Sequence, residues 1–170
     1  NGQFNVRQFA GEEDLNIQFL LDFINGPRDT TKKVRPKPPE IFFWKLDLDH
    51  VDFTYEYRDS IHDTVQGFDQ NLIRIRDINA SLKRFMIVND SLSGELRNLQ
   101  CNDPNGFVIR RMDTDFIISY TMMDFASLNL QTPLSSLNGK VHFDYDSYDD
   151  LSDFIPLVQM RGKIKESKIR

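Results

Sequence analysis

From Ile41 onward, apolar and polar residues alternate with a period of two. Phe42, Trp44, Leu46 and Leu48 alternate with Lys45, Asp47 and Asp49; Val51, Phe53, Tyr55 and Tyr57 then alternate with Asp52, Thr54 and Glu56. Side chains of a strand point to opposite faces in turn, so this pattern predicts strands with one dry and one wet face. The phase slips by one residue at Asp49-His50. A bulge or tight bend absorbs such a slip and keeps a single face apolar. The slip recurs where Ile73 and Ile75 give way to Ile78, Ala80 and Leu82. Repeated slips of this kind curl a sheet.

Further period-two stretches run from Arg84 to Val88, Gly94 to Leu99, Phe107 to Arg111, Asp115 to Tyr120 and Ser127 to Leu130. Asn138-Gly139 is the strongest hairpin-turn signal in the chain. After it, Val141, Phe143 and Tyr145 face one way, while His142, Asp144 and Asp146 face the other. A short helix is expected from Asp149 to Ile155, ended by Pro156, and a last strand around Leu157 to Lys165. Long helical patterns between the strands are missing, which argues against a parallel α/β architecture. The fold class is therefore mainly β: an antiparallel meander with one or two short helical insertions.

Three regions are expected. Residues 1–27 form a leading strand and a short amphipathic helix, Glu12 to Asn25, with Leu15, Phe19, Leu20 and Phe23 at helical spacing and Gly26-Pro27 as its stop. Residues 28–40, with three prolines and five Lys/Arg, form a Pro/Lys-rich linker, either solvated or a basic tether for anionic head groups. Residues 41–170 form a curved antiparallel β-repeat region. Beginning at Asn1 and ending in IKESKIR, the chain reads as a fragment of a longer one.

Composition narrows the function classes. At 170 residues, 28% charged and 39% hydrophobic, the chain is neither disordered in character nor membrane-spanning by a helix. A net charge of -5 argues against nucleic acid as a partner. The single cysteine, Cys101, has no disulfide or zinc partner in the sequence and reads as a half-buried residue. With 14 Phe and 5 Tyr, the apolar positions form a stripe across successive strands. That stripe is either the core of a sandwich or sheet-on-helix fold, or the lining of a groove on a curved sheet.

The richest candidate for chemistry is the aspartate cluster Asp144, Asp146, Asp149, Asp150 and Asp153. An EF-hand loop needs Gly at its sixth position and Glu at its twelfth. Counting from Asp144 these are Asp149 and Ile155, and from Asp146 they are Leu151 and Leu157, so both registers fail. A calcium site of another kind, from Asp146, Asp149 and Asp150, stays open. Asp144 and Asp146 alternate with core positions on the wet face, where carboxylates stay ionised and are poor general acids. Ser147 and Asp150 have capping-box spacing, and Asp149 and Asp150 suit a helix N-terminus. None of His50, His62 and His142 has ligand-like spacing to another, and GxSxG, P-loop and dinucleotide-binding glycine patterns are absent. No enzyme activity is expected, and no cofactor.

The run from Leu137 to Phe154 resembles a recurring segment of the TamB-like (AsmA-like) translocation and assembly module proteins of Bacteroidota. In that family a strand with Phe and Tyr two apart leads into a Ser-Tyr-x-Asp-x-Ser-Asp-Phe helix start; the matching residues are Phe143, Tyr145, Ser147, Tyr148, Asp150, Ser152, Asp153 and Phe154. PNGFVIRRMDTDFIIS is similar to the family's strand entry, with Pro104-Asn105 in place of the usual Ser and Met112 where Leu is commoner. IFFWKLDLDHVDFTYEYRD looks like its strand pair after a flexible linker. The similarity spans roughly Ile17 to Lys165, and only the 137–154 motif is specific.

The resemblance implies a bridge-like lipid-transfer protein of the bacterial periplasm. It would be anchored in the inner membrane by a helix outside this chain, with a taco-like β-sheet whose apolar groove carries phospholipid toward the outer membrane. The partners implied are phospholipid acyl chains and an outer-membrane barrel of the assembly-factor type. The groove lining expected is Trp44, Leu46, Phe53, Tyr55, Ile73, Ile75, Phe116, Ile118, Val141 and Phe143. The alternative is an interaction module whose edges pair with strands of an outer-membrane assembly partner.

Overall fold

The computed structural model describes residues 2–9, 12, 14–18, 40–57, 72–88, 91–104, 106–147, 150–151 and 154–168. Eight strands form one sheet in sequence order: β1 (Gly2–Arg7), β2 (Ile41–Glu56), β3 (Leu72–Val88), β4 (Ser91–Asn102), β5 (Val108–Ile118), β6 (Met122–Gln131), β7 (Ser136–Asp144) and β8 (Gln159–Lys168). β1 runs parallel to β2, alongside Val51–Glu56 alone. Every later pair is antiparallel. Among the described residues each strand touches only its neighbours, and β1 does not meet β8. Among the described residues the sheet is open, and no second layer packs on it.

The strands are longer than the alternation of apolar residues suggests, because bulges join stretches of opposite phase. Arg84–Val88 continues the strand that carries Ile73 and Ile75, and most of Phe107–Arg111 and Asp115–Tyr120 joins into β5, leaving out Phe107, Ser119 and Tyr120. Non-glycine residues with positive φ mark the irregularities: His50 (50°), Asp77 (53°), Arg84 (48°), Asn98 (54°), Ser127 (51°) and Glu166 (26°). The register shifts at His50, Asp77, Asn98 and Ser127 lie on β2, β3, β4 and β6, the last opposite the Asp113–Asp115 stretch of β5, and a further shift falls between Ser136 and Asn138 beside Glu166. Together they draw a crease across the sheet. A left-handed backbone costs an L-residue about 1 kcal/mol or more, so something must hold each one.

At three of the six, side chains from a neighbouring strand do so. The backbone N–H of His50 donates to Asn79 Oδ1 at 3.0 Å, that of Asp77 to Asp52 Oδ1 at 3.0 Å, and that of Asn98 to Asp113 Oδ1 at 2.8 Å. At the far end, Asn138 N–H donates to Ser167 Oγ at 2.9 Å. A bulge leaves a backbone donor without its ladder partner, and these groups supply one.

Two expectations are corrected. Asn138-Gly139 lies inside β7 rather than at a turn; the β6–β7 hairpin closes instead at Thr132–Ser135, where Thr132 N–H donates to Ser135 O at 2.9 Å and Ser135 N–H to Thr132 Oγ1 at 2.9 Å. Glycine is needed at 139 for a different reason: β8 passes so close that a Cβ there would meet the Lys163 carbonyl. The helix expected from Asp149 to Ile155, ended by Pro156, is also shifted. A 3₁₀ turn occupies 150–151, and a four-residue helix, α1 (Phe154–Leu157), contains Pro156. Proline fits because first-turn N–H groups have no intrahelical acceptor, and the helical bond is donated by Val158 N–H to Phe154 O at 3.0 Å. The expected helix Glu12–Asn25 falls mostly outside the described residues, as do the linker residues 28–39.

Candidate functional site

The register lays apolar residues in rows across the sheet. Leu46 faces Leu82, Leu82 faces Leu96, and Leu96 faces Thr114. Gly94, Phe116, Phe125, Val141 and Gly162 form a second row, and Leu92, Ile118, Met123, Phe143 and Met160 a third. On the β2–β3 side, Phe53 faces Ile75 and Tyr55 faces Ile73. The bulges at His50 and Asp77 carry the apolar phase across the slip, so Leu48 and Val51 continue one side of β2 and Ile75 and Ile78 one side of β3.

Aromatic rings link the rows. Phe4 stacks on Phe53 at 6.1 Å between centroids, Phe85 lies 6.5 Å from Phe116, and Phe143 makes edge contacts with Phe125 at 6.2 Å and with Phe154 of α1 at 5.6 Å. Gly94 makes the Phe85–Phe116 contact possible: a Cβ there would lie 3.4 Å from the Phe116 ring and 3.3 Å from the Phe85 backbone. Toward β8 the face becomes concave. A space of about 540 Å³ opens between Met112, Leu130, Leu137, Phe143 and Ile164, with Leu128 and Val141 buried at its base.

Little of this face is dry. Apart from Thr114, the buried residues among those described are Val6, Ala80, Leu128, Val141, Tyr145 and Val158, while Met160 is 65% exposed and Ile164 48%. Thr114, at 1% exposure, satisfies its hydroxyl by donating to Ala126 O at 2.8 Å, beside the Ser127 bulge. A single sheet cannot bury its own face, and among the described residues no other element covers the apolar side.

Of the ten residues expected to line the groove, nine share this face: Leu46, Phe53, Tyr55, Ile73, Ile75, Phe116, Ile118, Val141 and Phe143. Trp44 stands apart. It is 73% exposed, makes an edge contact with Phe42, and borders a depression formed with Lys45, Lys83, Arg84 and Glu95. The left-handed Arg84 sits on β3 between the Phe43–Phe85 and Lys45–Lys83 pairs, which flank Trp44. Phase alone, read from β2, gave no sign of that neighbour.

The opposite face is a lattice of charge. Glu95 pairs with Arg84 and, at 3.0 Å, with Arg97; Arg97 also reaches Asp115 at 2.6 Å and Thr114 O at 2.8 Å. Across β6–β8, Asp124, His142 and Arg161 stand directly opposite one another. His142 Nδ1 lies 2.8 Å from Asp124 Oδ1 and its Nε2 lies 3.0 Å from Asp144 Oδ1; Asp124 also holds Lys140 at 3.1 Å, and Asp144 holds Arg161. Hydrogen bonds to Asp124 and then Asp144 raise the His142 pKa above its ordinary value. Asp144 is lowered, first by His142 and then by Arg161. For Asp124, burial pushes the pKa up, but the bonds from His142 and Lys140 outweigh it and the net direction is down.

The aspartates at 144–150 thus divide as their pattern suggests. Asp144 belongs to the wet face, and the Asp150 carboxylate accepts from the backbone N–H groups of Asp146 at 2.8 Å and Ser147 at 3.2 Å. Asp149 lies outside the described residues, and among those described no group of three or more His, Cys, Asp or Glu is placed to hold a metal ion. Cys101 is half-buried, and burial raises its thiol pKa. The Asp124–His142–Asp144 arrangement escaped sequence reasoning because it depends on strand register. Its signal, polar residues at period two on neighbouring strands, is visible only once the strands are aligned.

The described residues define a mainly β protein: an open, mostly antiparallel eight-stranded sheet with one apolar and one charged face. No known family model matches the chain, and no curated protein or solved structure shows significant similarity to it.

Proposed function

We propose that this chain is a non-enzymatic, lipid-conducting scaffold: a segment of a bridge-like protein of the bacterial periplasm that moves phospholipid between inner and outer membranes. The observation that carries the reading is the apolar face, continuous from Phe53 to Met160 and uncovered by any second layer among the described residues. Each acyl methylene sheltered on such a face is stabilised by about 0.8 kcal/mol. Head groups would stay in water at an open edge. The resemblance of Leu137–Phe154 to TamB-like segments supports the same reading. A lining that only solvates acyl chains requires no reacting group.

The test is native mass spectrometry of the purified chain. Co-purified phospholipid is expected, and Phe53→Asp or Phe143→Asp is expected to remove it while far-ultraviolet circular dichroism still reports the sheet. Lipid-free wild-type protein, together with variants that transfer fluorescent phospholipid between vesicles as well as wild type does, would count against the proposal.

One observation favours the second reading, pairing by strand addition. β1 covers only Val51–Glu56 of β2, and no described strand lies on the outer side of Ile41–His50. A strand edge of this length invites another chain. A stoichiometric complex between lipid-free protein and an outer-membrane barrel, abolished by a proline at Leu46, would support it.

A further inference from the structure

We infer that the charged face carries an oxyanion site where β7 meets β8, formed by Lys140, His142, Arg161 and Lys163 and suited to a phosphate or sulfate group. The four residues make two directly facing pairs, Lys140 with Lys163 and His142 with Arg161. Directly opposed side chains start about 5 Å apart, and neighbours two along a strand about 7 Å apart. The four therefore outline a patch the size of a tetrahedral anion; Lys140, Arg161 and Lys163 supply its donors, while His142, whose two ring nitrogens face Asp124 and Asp144, contributes charge. They line, with Gly162, one concavity of about 360 Å³.

Charge bookkeeping favours an anion there. Two lysines directly opposite on one face repel each other. Asp124 balances Lys140 and Asp144 balances Arg161, but among the described residues no carboxylate pairs with Lys163. His142 adds a second positive charge whenever it is protonated. β8 continues the excess with Lys165 and Lys168 against the single Glu166, in a chain whose net charge is -5. Arg161 and Lys140 keep most of their side-chain surface in solvent, at 70% and 57%, so their remaining donors can reach a ligand. Arginine supplies planar paired donors and lysine a point charge, a combination that suits phosphate-class oxygens.

The site lies on the face opposite the apolar one, so it stands or falls independently of lipid conduction. The experiment is isothermal titration of the whole chain with sodium sulfate against sodium chloride at matched ionic strength. Vesicles of phosphatidylcholine with and without phosphatidylglycerol form a second arm. Saturable binding of sulfate is expected, weakened about tenfold in Lys163→Gln, the loss of one charge-assisted bond. It should be lost in the double variant Lys140→Gln/Lys163→Gln, with thermal unfolding recorded in parallel to show that both variants fold. Competition by sulfate for phosphatidylglycerol vesicles would assign the site to a lipid head group; sulfate binding with no vesicle binding would assign it to a soluble phosphate or sulfate compound. Sulfate heats equal to those of chloride, or equal in wild type and Lys163→Gln, would overturn the inference.

Discussion

Gly139 lies so close beneath β8 that a Cβ added to it would fall 2.1 Å from the carbonyl oxygen of Lys163. No rotamer relieves that contact, because the backbone fixes the position of Cβ and the atom it meets is a backbone carbonyl oxygen. Gly139→Ala must therefore push β8 away from β7 at the row Leu128–Gly139–Ile164. We expect a loss of about 1–3 kcal/mol, the usual cost of overpacking. Chemical denaturation would measure it. Hydrogen exchange should show the loss of protection concentrated in Gln159–Lys168.

The bulge locks give a second prediction. Asp113→Ala removes the acceptor for Asn98 N–H and the partner of Arg111. The expected cost is about 1–2 kcal/mol. Replacing Asn98 with Gly in the same background should recover part of it, because glycine adopts the left-handed conformation without strain. Comparing the single variants with the double in urea measures this recovery, and no recovery would show that the strain at Asn98 is not what Asp113 restrains.

Thr114→Val tests the one fully buried polar side chain among the described residues. The shapes are similar, but the Ala126 carbonyl loses its donor at the Ser127 bulge. We expect a destabilisation of about 1 kcal/mol, read from the shift in denaturation midpoint. A more stable variant would mean that the apolar surroundings outweigh the bond.

The His142 network makes the β6–β8 end sensitive to pH. His142 has a raised pKa in the fold, so its contribution is fully present below the ordinary histidine pKa of about 6.5 and is lost as pH rises through the higher folded value. Asp124 and Asp144 have lowered values; their contribution is present above about 3.9 and is lost as pH falls through the folded values below that. The network is thus most stabilising between the ordinary carboxylate and histidine values. Unfolding midpoints of wild type and His142→Gln should differ most near pH 5 to 6 and converge above the folded histidine pKa. A constant difference across that range would refute the assignment.

Much of the sheet was legible because alternation is a local signal. The slips at His50 and Asp77 could be placed from Leu48, Val51, Ile75 and Ile78 alone, since a slip that keeps one face apolar needs an extra residue between strand halves. The break at Asn138-Gly139 was misread because the same glycine freedom serves a tight turn and a close strand crossing, and only the position of β8 separates them. Nine groove candidates share a face since each strand's phase fixes its own side. Trp44 does not join them, and Arg84, on a neighbouring strand, was the missing information. The oxyanion patch was illegible for a related reason: Lys140 and Lys163 are 23 residues apart and meet through the register of β7 and β8.

The crease has a consequence for how this chain can change. On either side of it the strands are written in opposite parity, so the bulge residues act like frame markers in a code read two letters at a time. Deleting Asn98 would leave every residue of Ser91–Arg97 intact yet present Leu92, Leu96 and their neighbours to water and Glu95 and Arg97 to the apolar side. Substitutions should therefore accumulate freely along these strands, whereas single-residue insertions and deletions should be confined to the connections between them.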